Sequence, residues 1–361
     1  MSDAGPSASP GASPPPLWTR RHRAAFAALA VLILLSAGTA LILRRDFDRP
    51  ADPAREALLL VEVRPGSGVR RISQELEAKG LLRRPLAFQL QARLRGGARR
   101  IRAGVYELSP AMPPRAIYRI LIEGRVAQRT VTIPEGYNLR EIAEALERAG
   151  LGPRKDIIES ARDPALLARA EAEGDSIEGY LFPDTYRFPL GTPPREILFA
   201  MSQNLRRKFG PSLRERAQRL GLTPHEALTL ASLIEKETPL AAERALVAAV
   251  FWNRLRKNMP LQSDPTAVYG LPRPDGPIRR RDLAHDSPYN TYIHRGLPPG
   301  PIASPGLASI EAALHPADVD YLYFVATPSG GHAFSRTYPE HQAAIARHQT
   351  KRKETVDPKT P

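Results

Sequence analysis

The most continuous apolar pattern in the chain is Ala24 to Leu43, AAFAALAVLILLSAGTALIL, twenty uncharged residues. Arg20, Arg21 and Arg23 precede it, and Arg44 and Arg45 follow. At helical rise this length matches the hydrocarbon thickness of a bilayer, so the pattern predicts one membrane-spanning helix. Three arginines against two favour a cytoplasmic N-terminus. Gly38-Thr39-Ala40 has the small-x-small form that a signal peptidase accepts, but the run is long for a cleaved peptide, which favours a retained anchor. Residues beyond the anchor are then expected outside the cytoplasm. Ahead of it, Met1 to Pro16 is mostly Ser, Pro, Ala and Gly, a composition expected to stay disordered.

Past the anchor the pattern turns periodic, and it repeats. At an offset of seventy, Val61, Gly66, Arg70, Ile72, Leu76, Glu77, Gly80 and Leu81 recur as Val131, Gly136, Arg140, Ile142, Leu146, Glu147, Gly150 and Leu151. Each copy predicts a short strand, a glycine turn and a helix with apolar residues three and four apart, ended by a glycine suited to a left-handed cap. The likeness resumes at an offset of eighty, where Tyr106, Pro113, Pro114, Arg115 and Ile117 answer Tyr186, Pro193, Pro194, Arg195 and Ile197. Proline suits the first helical turn, so each copy ends in a second strand and a proline-started helix. Two α+β modules are therefore expected. Their shape resembles the LysM-like modules that hold cell-wall glycan, with a role as plain spacers the alternative.

The segment TLASLIEKETP from Thr229 predicts a helix that Thr238-Pro239 stops. Its two acids, Glu235 and Glu237, project differently. Glu235 shares a face with Leu228, Ala231 and Ser232, where a carboxyl group tends to keep its proton as a general acid must, while Glu237 lies beside Leu233 and Ile234. Periodicity leaves open which of them is chemical and whether either is. Downstream, LQSDPTAVYG, SPYNTYIHRGLPPGPIASPG and GGHAFSRTYPEH are dense in polar, aromatic, Pro and Gly residues, the kind of loop that builds sites.

Composition narrows the classes. The 361 residues, 42% hydrophobic and 25% charged, fit folded protein with more than one core. There is no cysteine, which removes disulfides, thiol nucleophiles and cysteine metal sites. The net charge is +14, with arginines gathered at Arg93, Arg95, Arg99, Arg100 and Arg102 and again at Arg279 to Arg281. Neither cluster is interleaved with aromatic residues, so no nucleic-acid partner is expected; anionic lipid headgroups or wall polymer fit an exported basic surface better. His225-Glu226 opens like a zinc-protease helix, but Thr229 stands where the second histidine must be. His294, His315 and His332 read as non-ligands, no G-x-S-x-G occurs, and neither a metal nor a cofactor is expected.

IEGYLFPDTYRF from Ile177, ASLIEKET, FWNRL, LQSDPTAVYG, YNTY, GLPPGPIASPG and YLYFVATPSGGHAF follow in this order between about Val131 and Ile345. With the anchor, they closely resemble the MltG (YceG-like) family of endolytic murein transglycosylases. The resemblance implies cleavage of the β-1,4 bond between N-acetylmuramic acid and N-acetylglucosamine, leaving 1,6-anhydro ends. It places the family's catalytic acid and base on Glu235, and implies peptidoglycan synthases as partners. Beside it, Gln262, Asp264, Tyr289, Asn290 and Tyr292 are the candidate substrate-binding residues, with Asp264 the second carboxylate should the enzyme use water. Leu297 to Pro301, with Ser304-Pro305, is expected to fix one wall of the groove.

The expected architecture is α+β: a cytoplasmic tail (1–23), the membrane helix (24–43), a linker (44–60), LysM-like modules (61–130 and 131–209), a YceG-like catalytic domain (210–346) and a charged tail (347–361). A glycan-binding scaffold without catalysis and a water-using muramidase are the alternative functions.

Overall fold

The computed structural model describes residues 20–94, 96–271 and 282–355. The expected disorder of Met1 to Pro16, Arg95, and the Arg279 to Arg281 cluster lie outside the described residues. The fold is mixed α and β and divides into two compact units, Met1–Ala127 and Gln128–Pro361.

In the first unit, helix α1 (Arg20–Asp48) contains the whole apolar run, and its large side chains from Phe26 to Ile42 are exposed, as a helix built for lipid requires. Its last turn enters the unit, where Phe47 is buried. Then come β1 (Leu59–Val63), α2 (Val69–Ala78), α3 (Pro85–Leu94), β2 (Gly104–Leu108) and α4 (Pro114–Glu123). β1 and β2 pair antiparallel with Val61 opposite Tyr106. Ile72, Leu76, Phe88, Tyr106, Ile117 and Leu121 form the core. Apolar residues at helical spacing on α2 and α4 turn one face of each helix onto the strand pair.

The second unit opens with the same plan. β3 (Gln128–Thr132), α5 (Leu139–Arg148), α6 (Arg154–Ser160), α7 (Pro164–Ala170), β4 (Thr185–Pro189) and α8 (Pro194–Lys208) follow in order. β3 and β4 pair antiparallel with Val131 opposite Tyr186, the equivalents of Val61 and Tyr106. Both tyrosines close the same local bond, Tyr106 Oη donating to the Arg102 carbonyl at 2.6 Å and Tyr186 Oη to the Phe182 carbonyl at 2.5 Å. Gly80 and Gly150 end the first helix of each copy at φ 72° and 73°. The copies differ in their middles, one helix in the first and two in the second.

The unit continues with α9 (Pro211–Arg219), α10 (Pro224–Glu237), α11 (Arg244–Arg256), α12 (Asp264–Val268), α13 (Leu307–Leu314), the antiparallel hairpin β5 (Tyr323–Ala326) and β6 (His332–Ser335), and α14 (Tyr338–Thr355). One core runs from Val131 to Leu314. The second repeat copy and the chain after residue 209 are therefore packed on each other, not strung as separate beads. At the centre lies α10. Thr223 and Glu226 form a reciprocal capping box, Pro224 occupies the first turn, and every residue from Ala227 to Ile234 is buried.

Candidate active site

Burial of its middle leaves α10 only its two ends to show, and the last turn is Glu235-Lys236-Glu237. The Glu235 side chain is 5% exposed. Its Oε1 accepts from Arg244 Nη2 at 3.2 Å and its Oε2 from the Gly306 amide at 2.9 Å. The face shared with Ser232 is real, but it carries a loop and not a bare apolar wall. Residues 299–306 run along it: His225 Nε2 lies 2.8 Å from the Pro299 carbonyl, the Ile302 amide donates to Ser232 Oγ at 3.1 Å, and Gly306 reaches Glu235. A guanidinium and an amide, not apolar side chains, meet the carboxylate.

The opposite wall comes from the turn after β3. The Gly136 amide donates to the Ser304 carbonyl at 2.9 Å and the Ser304 amide to the Tyr137 carbonyl at 2.8 Å, stitching that turn to the 299–306 loop. Between this turn and the end of α10 opens a cleft of about 500 Å³ lined by Glu135, Gly136, Tyr137, Glu141, Glu235, Lys236, Pro239 and Arg244. Gly136, at φ 77°, keeps the turn tight against the stems of Glu235 and Lys236. The cleft holds two further carboxylates, Glu141, engaged in the capping box of α5, and Glu135. Glu135 Oε2 lies 3.4 Å from the same Arg244 nitrogen that holds Glu235.

Sequence reasoning passed over Glu135 and Arg244, which sit 109 residues apart. One signal existed: the repeat places Glu135 where the first copy has Pro65.

Glu237 faces the other way. Ser263 Oγ donates to its Oε1 at 2.5 Å. Burial pushes its carboxyl up to about 7, aided by the Asp264 charge and opposed by the Ser263 bond and Arg254. Around it gather several of the predicted residues. Asp264 accepts from Tyr292 Oη at 2.5 Å, and Gln262, in the left-handed region at φ 53°, accepts from Arg254 Nη1 at 3.1 Å. Asp264 thus stands beside Glu237 and Tyr292 and is absent from the residues lining the Glu235 cleft. Burial and the Asp264 carboxylate both raise the Tyr292 hydroxyl.

Asn290 is fully buried, its amide donating to the Leu283 and His285 carbonyls and its Oδ1 accepting from the Tyr292 amide. Both amide hydrogens are committed to the loop and the side chain is fully buried, which turns it away from a sugar acetamide. Tyr289 packs at 4.6 Å between ring centroids on Tyr269, beside Gly300 at the His225 end of α10. His225 and Glu235 are ten residues apart on one helix, about 15 Å of rise.

Glu178, from the IEGYLFPDTYRF motif, is buried at the start of α5. Its carboxyl accepts from the Leu139 amide at 3.0 Å and from Tyr269 Oη at 3.1 Å. Burial raises it to about 7, with those bonds and the Gly179 amide working the other way. Ahead of α11, Glu243 takes the His332 amide at 2.8 Å and lies 2.7 Å from its Nδ1. Burial pushes Glu243 up, but the His332 bonds and charge outweigh it and hold the carboxyl below its usual range. Among the described residues no group of three His, Asp or Glu side chains converges as a metal site.

Fold and site together define an α+β protein with an N-terminal apolar helix and an acid-bearing cleft at the end of a buried helix. The YceG-like family model matches residues 61–347, and the chain belongs to that family. It is 33% identical to the endolytic murein transglycosylase of Bacillus subtilis, over 85% of this chain and 89% of the relative. It is 32% identical to the endolytic murein transglycosylase of Streptococcus pneumoniae strain D39, over 89% of this chain and 64% of that longer protein. A YceG-like protein of Listeria monocytogenes, solved at 2.6 Å, is 36% identical; the match covers 80% of this chain and 99% of that one with a TM-score of 0.55.

Proposed function

We propose that this chain is a membrane-anchored endolytic peptidoglycan transglycosylase that cleaves the bond between N-acetylmuramic acid and N-acetylglucosamine and leaves 1,6-anhydro ends. The supporting observation in the structure is Glu235: the acid of the last turn of α10 that lines the cleft, held at both oxygens by Arg244 and the Gly306 amide. Glu235 gives its proton to the leaving glycosidic oxygen as the bond to the muramyl anomeric carbon breaks. The C6 hydroxyl of the same residue then bonds to that carbon and returns a proton to Glu235. No water enters, so one acid serves twice. Arg244 and Gly306 pair with the carboxylate in the interval between the two transfers.

Glu135 supports a second reading. A water-using muramidase needs a second carboxylate near the acid, and Glu135, sharing Arg244 with Glu235, fits that part better than Asp264. Of the residues proposed for sugar contact, Gln262, Asp264, Tyr289 and Tyr292 remain candidates, and Asn290 serves the loop. The paired-strand modules of the two repeat copies fit LysM-like glycan holding, α1 fits an anchor in the bacterial inner membrane with a cytoplasmic N-terminus, and glycan-polymerising synthases fit as partners for an enzyme that sets strand length. Mass spectrometry of muropeptides released from purified peptidoglycan decides the reaction. Anhydro-muramyl products lost in Glu235→Gln are expected; reducing ends lost in Glu135→Gln identify the muramidase, and no product from folded protein identifies a glycan-binding scaffold.

A further inference from the structure

The first unit carries an apolar feature that its core does not use. On α3 the buried face is Ala87, Phe88 and Ala92. Leu86, Leu90 and Leu94 stand on the other side at 73%, 40% and 74% exposure. Residues four apart line one stripe of a helix, and contiguous exposed leucines mark a surface that meets something apolar.

The charge around the stripe says what. Between Glu77 and Glu107 the sequence holds no Asp or Glu but one lysine and seven arginines: Lys79, Arg83, Arg84, Arg93, Arg95, Arg99, Arg100 and Arg102. Apolar residues within so basic a stretch suit the boundary between acyl chains and anionic headgroups, where the leucines insert and the guanidinium groups stay at the phosphates.

The place of α3 agrees. The last turn of α1 is fastened to it, with the Phe47 ring 6.3 Å from Phe88 and Asp46 paired with Arg84 at 3.0 Å. Phe47 follows Leu43, the last apolar residue of α1, by four positions, about 6 Å of helical rise. Helix α3 is thus held within about one helix diameter, ~10–12 Å, of the point where the apolar run ends.

We propose that α3 lies in the headgroup region of the bilayer that α1 spans, with Leu86, Leu90 and Leu94 inserted and the neighbouring arginines on anionic lipid. The proposal rests on α1 being a membrane anchor. It converts a single flexible tether into a two-point seat, fixing the tilt of the first unit on the membrane.

The absence of native cysteine makes the test clean. Full-length Leu86→Cys, Leu90→Cys and Leu94→Cys, each carrying a nitroxide, are placed in nanodiscs containing phosphatidylglycerol. Leu34→Cys reports the anchor, and Glu77→Cys on α2 gives the exposed reference. The ratio of oxygen to nickel-chelate accessibility is expected to be several-fold higher at the α3 positions than at Glu77 and to approach that at Leu34. Ratios at α3 equal to that at Glu77, with Leu34 lipid-buried, overturn the seat and leave the anchor. A water-exposed Leu34 overturns the anchor and the seat with it. Spin–spin broadening between α3 labels without oxygen access makes a second copy the occupant and also overturns the proposal.

Discussion

Glu235, Arg244 and Glu135 form a chain of charge in which one guanidinium nitrogen serves two carboxylates. The three side chains have separable roles. Glu235→Gln keeps the shape but removes the transferable proton, so turnover should fall by about 10²–10⁴-fold, the usual worth of a positioned acid and base. Arg244→Lys keeps the charge but removes the Nη2 that meets both acids and the rigid planar group that positions it. Its product formation should fall about 10²-fold through misplacement of Glu235, with substrate KM changed far less than kcat. For the lytic reaction Glu135→Gln should retain activity within a few-fold, since the carboxamide still accepts from Arg244. Steady-state kinetics on isolated glycan strands, with product ends identified, checks all three.

At the scale of elements, the 299–306 loop is held to α10 through Ser232 and Glu235 and to the turn after β3 through Gly136 and Tyr137. A third support is Gly179. It sits at φ 76°, and a methyl group there would collide with the Pro301 ring. Gly179→Ala should therefore destabilise the protein by about 2 kcal/mol or more, from left-handed strain plus overpacking. Calorimetry gives the cost; activity should drop further than the lost folded fraction, because Pro301 belongs to the loop whose Gly306 amide holds Glu235.

The same elements show what a single sequence reveals. The repeat was legible because both copies must close the same strand pair, and Val61–Tyr106 and Val131–Tyr186 indeed occupy matching register. Helix α10 was legible from its proline stop and apolar face. The site's partners were not: Arg244 and Glu135 meet Glu235 only through tertiary packing, and Asn290 looks like a ligand-binding amide until its buried bonds to Leu283 and His285 are seen. Polar composition identifies a loop that builds something. It does not say which side chains face inward.

For the whole molecule, the buried acids set how stability varies with pH. Glu178 and Glu237 both have carboxyl groups raised from 4.5 to about 7 by burial. Glu178 meets the Leu139 amide, Tyr269 and the neighbouring charge of Glu141; Glu237 meets Ser263, Asp264 and Arg254. The folded chain thus binds protons that the unfolded chain has released between pH 4.5 and 7. Their contribution to stability is complete below about 4.5 and is lost as pH rises through about 7, at up to ~1.4 kcal/mol per pH unit for each group. Asp184 acts in the opposite sense. Its bonds from Asn204 and the Thr185 amide hold it below its ordinary 3.8, so its contribution is present above that value and lost as pH falls further. The two acids should accordingly make stability of the second unit decline from about pH 4.5 toward neutrality, opposed in part by His341, whose imidazole is held below its ordinary range by burial and Arg254. Urea unfolding followed through Trp252, which is buried and donates to the Ala313 carbonyl, measures this. Glu178→Gln removes one titration, so the decline between pH 5 and 7 should flatten by up to ~1.4 kcal/mol per pH unit. An unchanged slope would mean that Glu178 is ionised throughout and that its bonds at the start of α5, not its proton, stabilise the fold.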